Sequence, residues 1–448
     1  MRHLTEEELA EYAFDPAAAL NRAEIESHVE VCPECSALLT FIRSIDAEIS
    51  DEQAWEISDA IGEVSRLNDT IRDLAAIVAE EDAEAERLLG PLMEKPAEFA
   101  WRNLAEQRKF RTGGVVRRLN RAANDACERE PLVALTLADA AIAVAESLDE
   151  RAYPAQSVFD LRGMAWKERA NALRLLGNYD AALEALDRAA REFRNAPLLP
   201  LGPAIVTHLR GIVCYERGDY DTALRYAQQS TREFEMCGDV DRYLKARHLE
   251  ANIRFFQQDI REAQRIYGDI LAHAEAIDDL SWIARESRTL GYCALELRDF
   301  SEAARHFHKA LQAFEVLEQH AEIVRTNWGI ACLQLASGKP SIALGRLNAV
   351  RSEFAKLGMV VDEALTVFDI MDALVALGRE QEIATLADGL VERFTHAGML
   401  NSALTALAYL RESAVRGKVT APVIEYVRQF IRRVEREPSL LFVPPPPP

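Results

Sequence analysis

The stretch HVEVCPECSALL, from His28 to Leu39, sets two cysteines three positions apart and four residues behind a histidine. Thiolate and imidazole are favoured ligands of zinc, which takes four such donors in a tetrahedron. Ordinary core packing has no use for this spacing. Pro33 suits the first position of a helix, so Cys32-Pro33-Glu34-Cys35 falls at a helix N-terminus, where backbone N–H groups and the helix dipole stabilise thiolate. His28 lies near the end of the preceding helix, where the chain turns back, and His3 is the only other histidine before His208. The expected centre is one structural zinc on His3, His28, Cys32 and Cys35. A thioredoxin-type redox pair would need a βαβ setting, and haem attachment would need a histidine after Cys35, where Ser36 stands.

Three helices must position these donors. Thr5 caps the first, through EEELAEYAF, with Glu8 in the capping-box position, and Asp15-Pro16 interrupts it. The second runs from about Ala18 to Val29, and the third opens at Pro33 and continues through SALLTFIRSIDAEI.

Over about the first 48 residues this pattern resembles the zinc-binding anti-sigma domain, whose signature is a histidine, three residues, a cysteine, two residues and a cysteine. His28, Cys32 and Cys35 match it, and His3 lies where that family commonly supplies its N-terminal ligand. The resemblance implies a three-helix knob that, with a fourth helix, grips an extracytoplasmic-function sigma factor.

The charge pattern then changes twice. Residues 46–98 hold sixteen Asp or Glu against four cations, with Trp55, Ile57, Ile61, Val64, Leu67, Ile71, Leu74 and Val78 at helical spacing, which reads as an acidic amphipathic helix. From Arg102 to Arg121 seven Lys or Arg face Glu106 alone, and Gly113-Gly114 marks an expected boundary. The net charge of -21 argues against direct binding to nucleic acid. No run approaches the ~18 apolar residues of a membrane span, and MRHLTEEELAEY lacks the apolar core of a secretion signal. Cys127, Cys214, Cys237, Cys293 and Cys332 are unpaired in spacing and suit reduced core thiols. A cytoplasmic protein is expected.

From about residue 115 the sequence repeats. The segments LLGNYDAAL, ERGDYDTAL, FQQDIREA, LRDFSEAA, SGKPSIAL and LGREQEIA align on Ala182, Ala223, Ala263, Ala303, Ala343 and Ala384, at intervals of 40 or 41 residues. Twelve residues before each stands Ala170, Gly211, Ala251, Gly291, Ala331 or Asp372. Small residues at both places let paired helices approach closely. The pattern resembles a long, 40-residue tetratricopeptide repeat, and EREPLVALTLADAAIAVAESL reads as part of an earlier, divergent unit.

The expected fold is all-α: a zinc-binding helical domain over 1–48, an acidic linker over 49–112, a right-handed tetratricopeptide-type α-solenoid of about seven helix pairs over 113–437, and a proline-rich tail over 438–448 whose final VPPPPP reads as exposed polyproline. By analogy with that repeat, the first helix of each unit lines a groove, which places Lys167, Asn171, Arg174, His208, Tyr215, Lys245, His248, Asn252, Arg285, Arg288, Tyr292, Arg325 and Trp328 on the inner face with few acids. Lys167 and Asn171 also resemble the start of the carboxylate clamp of some such domains, but Leu209 and Leu249 stand where it needs polar groups. The groove is expected to suit an acidic peptide. No phosphate-cradling glycine loop, nucleophile elbow or H-E-x-x-H is present, so an enzyme is not expected. The overall expectation is a bacterial regulator that binds partner proteins, with a sigma factor as the partner of its N-terminal domain. A scaffold whose zinc is purely structural is the alternative.

Overall fold

The computed structural model describes residues 3–5, 8–9, 12–13, 21–33, 35–40, 75–94, 101–149, 151–196, 201–396, 401–434 and 440–445. The acidic segment from 46 to 74, with its apolar series up to Leu74, lies outside them. The chain divides into two compact units, Met1–Ala83 and Glu84–Pro448. No described residue lies in a strand.

In the first unit the capping box forms as expected. The Glu8 amide donates to Thr5 Oγ1 at 3.2 Å, and the Thr5 amide donates to the Glu8 carboxylate at 2.8 Å. Helix α1 (Arg22–Val31) ends with Cys32, whose N–H donates to the His28 carbonyl at 2.9 Å. Residues 35–40 are helical. Leu9, Tyr12, Ile25, Cys35 and Leu39 make the small core that joins these pieces.

The second unit is a run of antiparallel helix pairs: α2 (Gly113–Ala126) with α3 (Pro131–Glu146), α4 (Ala155–Leu175) with α5 (Tyr179–Arg194), α6 (Leu201–Arg217) with α7 (Tyr220–Met236), and α8 (Val240–Phe256) with α9 (Ile260–Ala276). Next come α10 (Leu280–Glu296) with α11 (Phe300–Val316), α12 (His320–Ala336) with α13 (Pro340–Lys356), and α14 (Val360–Ala376) with α15 (Ile383–His396). An eighth pair, α16 (Asn401–Val415) and α17 (Ala421–Val434), follows the seven expected.

The regularity is finer than the 40-residue period. A left-handed residue recurs every 20 positions, at Gly218, Gly238, Gln258, Asp278, Arg298, Glu318, Gly338, Gly358 and Gly378. Each ends one helix and turns the chain into the next. At the second of these turns Gly238 donates to Glu235 O at 3.0 Å and Asp239 to Phe234 O at 3.1 Å, closing a Schellman-type C-cap. The Asp239 side chain then accepts the Arg242 amide at 3.0 Å and starts α8.

Ala182, Ala223, Ala263, Ala303 and Ala343 are fully buried, as are Ala170, Ala251 and Ala331. Two aromatic wedges use glycines as seats. A Cβ on Gly291 or Gly329 would fall 2.7 or 2.6 Å from the Phe307 ring, and one on Gly163 or Gly202 would fall 2.6 or 2.5 Å from Phe193.

Two expectations need correction. Ala384 is only half-buried and Ile383 and Ala387 take the core, because the 3-10 turn Glu380–Glu382 shifts the register entering α15. The linker expected up to residue 112 is, from Glu84 onward, part of the solenoid: Ala85, Leu89, Trp101, Leu104 and Phe110 pack with Val115, Leu119, Leu137 and Ala141. Gly113-Gly114 opens α2 behind the Thr112 cap, with the Gly113 amide bound to the Tyr153 hydroxyl at 3.0 Å. The tail is anchored just ahead of its VPPPPP end, where Val443 itself is exposed. The Phe442 ring lies 5.5, 6.0 and 4.9 Å from those of Tyr409, Tyr426 and Phe430, and Tyr426 donates its hydroxyl to Val443 O at 2.8 Å.

Candidate metal centre and repeat groove

The knuckle, the end of α1 and the segment ahead of Thr5 bring four donors together. One ligating atom from each of His3, His28, Cys32 and Cys35 lies within 4.8 Å of every other. His3 Nδ1 is 3.5 Å from Cys32 Sγ and 3.6 Å from Cys35 Sγ. With Zn–S near 2.3 Å and Zn–N near 2.0 Å, the N to S edge of a zinc tetrahedron is about 3.6 Å. The edges fit. His28 Nε2 is buried without a hydrogen-bond partner, a state that costs ~1–3 kcal/mol and that coordination would relieve. The His3 and His28 rings stand edge to face at 6.4 Å, so neither blocks the other's approach. Cys35 is buried in the small core and Cys32 half-exposed at its edge. Two thiolates with two imidazoles suit zinc over harder cations. Among the described residues this is the group of His, Cys, Asp and Glu able to hold a metal ion.

The groove residues are brought together differently from expectation. Most cations face an acid from the same or the next unit. Arg174 pairs with Glu216, Arg288 with Glu322, and Arg325 with Glu322 at 2.6 Å and Asp362 at 2.9 Å. His248 Nδ1 lies 2.7 Å from the fully buried Glu286, and Lys245 pairs with Asp241 at 2.6 Å. Lys167 contacts the buried Glu168, whose pKa is raised mainly by that burial. Trp328 donates its indole N–H to Asp369 at 2.6 Å. Asn171 donates to Cys127 Sγ, Asn252 accepts from Tyr267, and burial raises the Tyr292 pKa. Tyr215 meets Tyr220 and Phe256 at 6.0 and 5.7 Å. The expectation of few acids beside these residues is thus corrected: their positive charge is largely offset. The partners Glu216, Glu286, Glu322, Asp362 and Asp369 were missed, yet each stands 34 to 42 residues from its mate, about one repeat step.

Two of the residues expected in the groove stand apart. Arg285 lies 4.9 Å over the Trp282 ring and has no ion-pair partner among the described residues. His208, against Phe234 at 5.8 Å, has a buried Nδ1 without a partner, and desolvation, with Lys245 and Arg242 nearby, pushes its pKa down to about 4.

Comparison with known proteins agrees with the repeat architecture. The tetratricopeptide repeat family matches residues 160–235. Among solved structures, the chain is similar to a signal transduction ATPase with numerous domains, with a tetratricopeptide repeat sensor, from Pyrococcus horikoshii, at 11% identity and a TM-score of 0.50, over 98% of this chain and 64% of that one. It is also similar to aspartyl phosphate phosphatase F from Bacillus subtilis (13% identity, TM-score 0.46, 97% of each chain) and to the apo form of RapI (14%, 0.48, 62% of this chain and 99% of that one). A search of curated proteins finds no match. The chain carries a tetratricopeptide repeat domain within an all-α solenoid.

Proposed function

We propose that this chain is a protein-binding regulator in which a zinc-held N-terminal knob takes one partner and the tetratricopeptide groove takes another. The four-donor cluster of His3, His28, Cys32 and Cys35 carries this reading, because its separations fit one tetrahedral metal. Zinc there supplies no reaction. It fixes the knuckle and the small core around Cys35 so that residues 1–80 can present one surface. By the likeness of residues 1–48 to anti-sigma domains, that surface sequesters an extracytoplasmic-function sigma factor. The groove receives an acidic peptide, with Arg285 as the cation that a ligand carboxylate meets first.

Co-expression of the full-length chain with a candidate sigma factor, followed by size-exclusion chromatography, tests it. A one-to-one complex lost on Cys35→Ser supports the reading. If no sigma factor is held while the chain still binds an acidic peptide in an Arg285-dependent way, the scaffold with a purely structural zinc replaces it.

A further inference from the structure

Helix α17 packs on α14 as well as on α16, its neighbour in the chain. Its apolar side chains Ile424, Val427, Phe430 and Ile431 are buried in one cluster with Phe368, Met371 and Leu374 of α14. Arg428 binds Asp369 at 3.3 Å, Asp372, and Glu425 of its own helix at 2.7 Å, with its guanidinium 5.7 Å from the Phe368 ring. Phe368 and Asp372 stand 40 residues beyond Trp328 and Cys332, and 80 beyond Arg288 and Tyr292. They hold the repeat positions expected to line the groove. Trp328 and Cys332 join them from α12, each donating to Asp369, at 2.6 and 3.6 Å. The last helix of the chain thus occupies an acidic seat as a ligand helix would. The match in charge is incomplete: Arg428 answers three carboxylates, and its Nε is buried without a hydrogen-bond partner. The Asp372 pKa is raised, by burial first and by Asp369 and Glu425 besides.

We propose that the seat formed by Trp328, Asp369 and Asp372 docks a basic amphipathic helix of a partner protein, which takes the place of α17. The resident helix gives the chemistry of its replacement. Apolar side chains on one helical face fill the space of Ile424, Val427, Phe430 and Ile431, and a cation in the place of Arg428 meets the two acids. A ligand that also carries Lys where α17 carries Glu425 brings a second cation and removes a like charge, so its charge complements the seat better than that of α17 does. Buried carboxylates left without a cation are costly, so the seat stays covered until such a helix arrives. Binding is then a competition, in which apparent affinity rises with the fraction of molecules whose α17 is already away. The seat takes the opposite charge from Arg285 and shares no residue with the metal centre, so it goes beyond the function proposed above.

The test uses full-length protein and a labelled peptide of residues 421–434 carrying Glu425→Lys, with binding read by fluorescence anisotropy. Two variants loosen the resident helix: Arg428→Ala, and Phe442→Ala, which removes the tail ring set against Tyr426 and Phe430. Each should tighten peptide binding about tenfold or more over wild type. Asp369→Asn with Asp372→Asn, added to Phe442→Ala, should weaken it about tenfold or more. Glu425→Lys in the chain itself should hold α17 more firmly and weaken peptide binding. Saturating peptide should speed hydrogen exchange in α17 and leave α8 to α11 protected. Unchanged binding in the loosened variants, after loss of the two acids, or with Glu425→Lys in the chain overturns the proposal, as does binding with no faster exchange in α17. So does a dimer of the Phe442→Ala variant that the peptide dissolves, since the occupant is then α17 of a second copy.

Discussion

The ring of Phe307 lies 2.6 Å from where a Cβ on Gly329 would stand, so the wedge between consecutive units exists only because residue 329 has no side chain. Phe307 is fully buried. Gly329→Ala should therefore destabilise the solenoid by ~1–3 kcal/mol through overpacking, and Phe307→Ala by ~3–5 kcal/mol through the cavity it leaves. Urea unfolding measures both, and a neutral Gly329→Ala would mean the ring has room to move.

Purified protein should carry about one zinc per chain, and Cys35→Ser should lose most of it while the repeat helices stay folded. Apparent zinc binding in small fingers is worth roughly 10 kcal/mol or more, which a core of five buried side chains cannot replace. Elemental analysis of protein made under reducing conditions decides this. Zinc-free wild-type protein would sink the assignment.

The turn residues give the opposite sign. Gln258, Asp278, Arg298 and Glu318 hold φ of 66°, 55°, 59° and 54° at positions where the flanking turns use glycine. A side chain in that region costs ~1–2 kcal/mol, and glycine gives back part of that as unfolded-state entropy. Glu318→Gly is expected to stabilise by ~0.5–1 kcal/mol, read from the denaturation midpoint; a loss of stability would refute the strain argument.

Acid should loosen the array through His208. Its pKa sits near 4 in the fold, against an ordinary 6.5, so the unfolded chain takes up the proton first. The contribution is complete above pH 6.5, falls as the pH drops towards 4, and amounts to about 3 kcal/mol at most. His208→Gln should flatten that part of the stability profile. If the slope between pH 6.5 and 4 is the same in the variant, His208 is not its source.

Phe442 closes the last pair by entering the aromatic group of Tyr409, Tyr426 and Phe430. Phe442→Ala should expose amides of α16 and α17 to hydrogen exchange sooner while those of α8 to α11 keep their protection, because terminal units of an array open first. Uniform loss across the array would contradict this.

The metal donors were legible because zinc constrains residue type and spacing together, and the Thr5–Glu8 box because it is a four-residue rule. The repeats were legible in Ala182 through Ala343 because close helix approach admits little but small side chains. What the sequence concealed are pairings between units. Glu286 beside His248 and Asp369 beside Trp328 look like ordinary helix surface until a repeat step brings them together. The basic stretch after Trp101 hid a core segment for a similar reason, since Arg118 answers Glu86 of the preceding acidic helix while Trp101, Leu104 and Phe110 turn inward. Helix α17 is fixed by a contact across the units. Arg428 binds it to Asp369 and Asp372 of α14, which no local pattern announces.

The turn that repeats every 20 residues has a mechanical meaning. Because successive joints share one geometry from Gly218 to Gly378, pulling on the ends of the array loads equivalent hinges in series. Each unit that gives way frees 40 residues, about 13 nm of extended chain. A stretched molecule should therefore lengthen in nearly equal increments, with the order of rupture set by which interface is weakest: the array is a graduated spring, whose divisions are the turns.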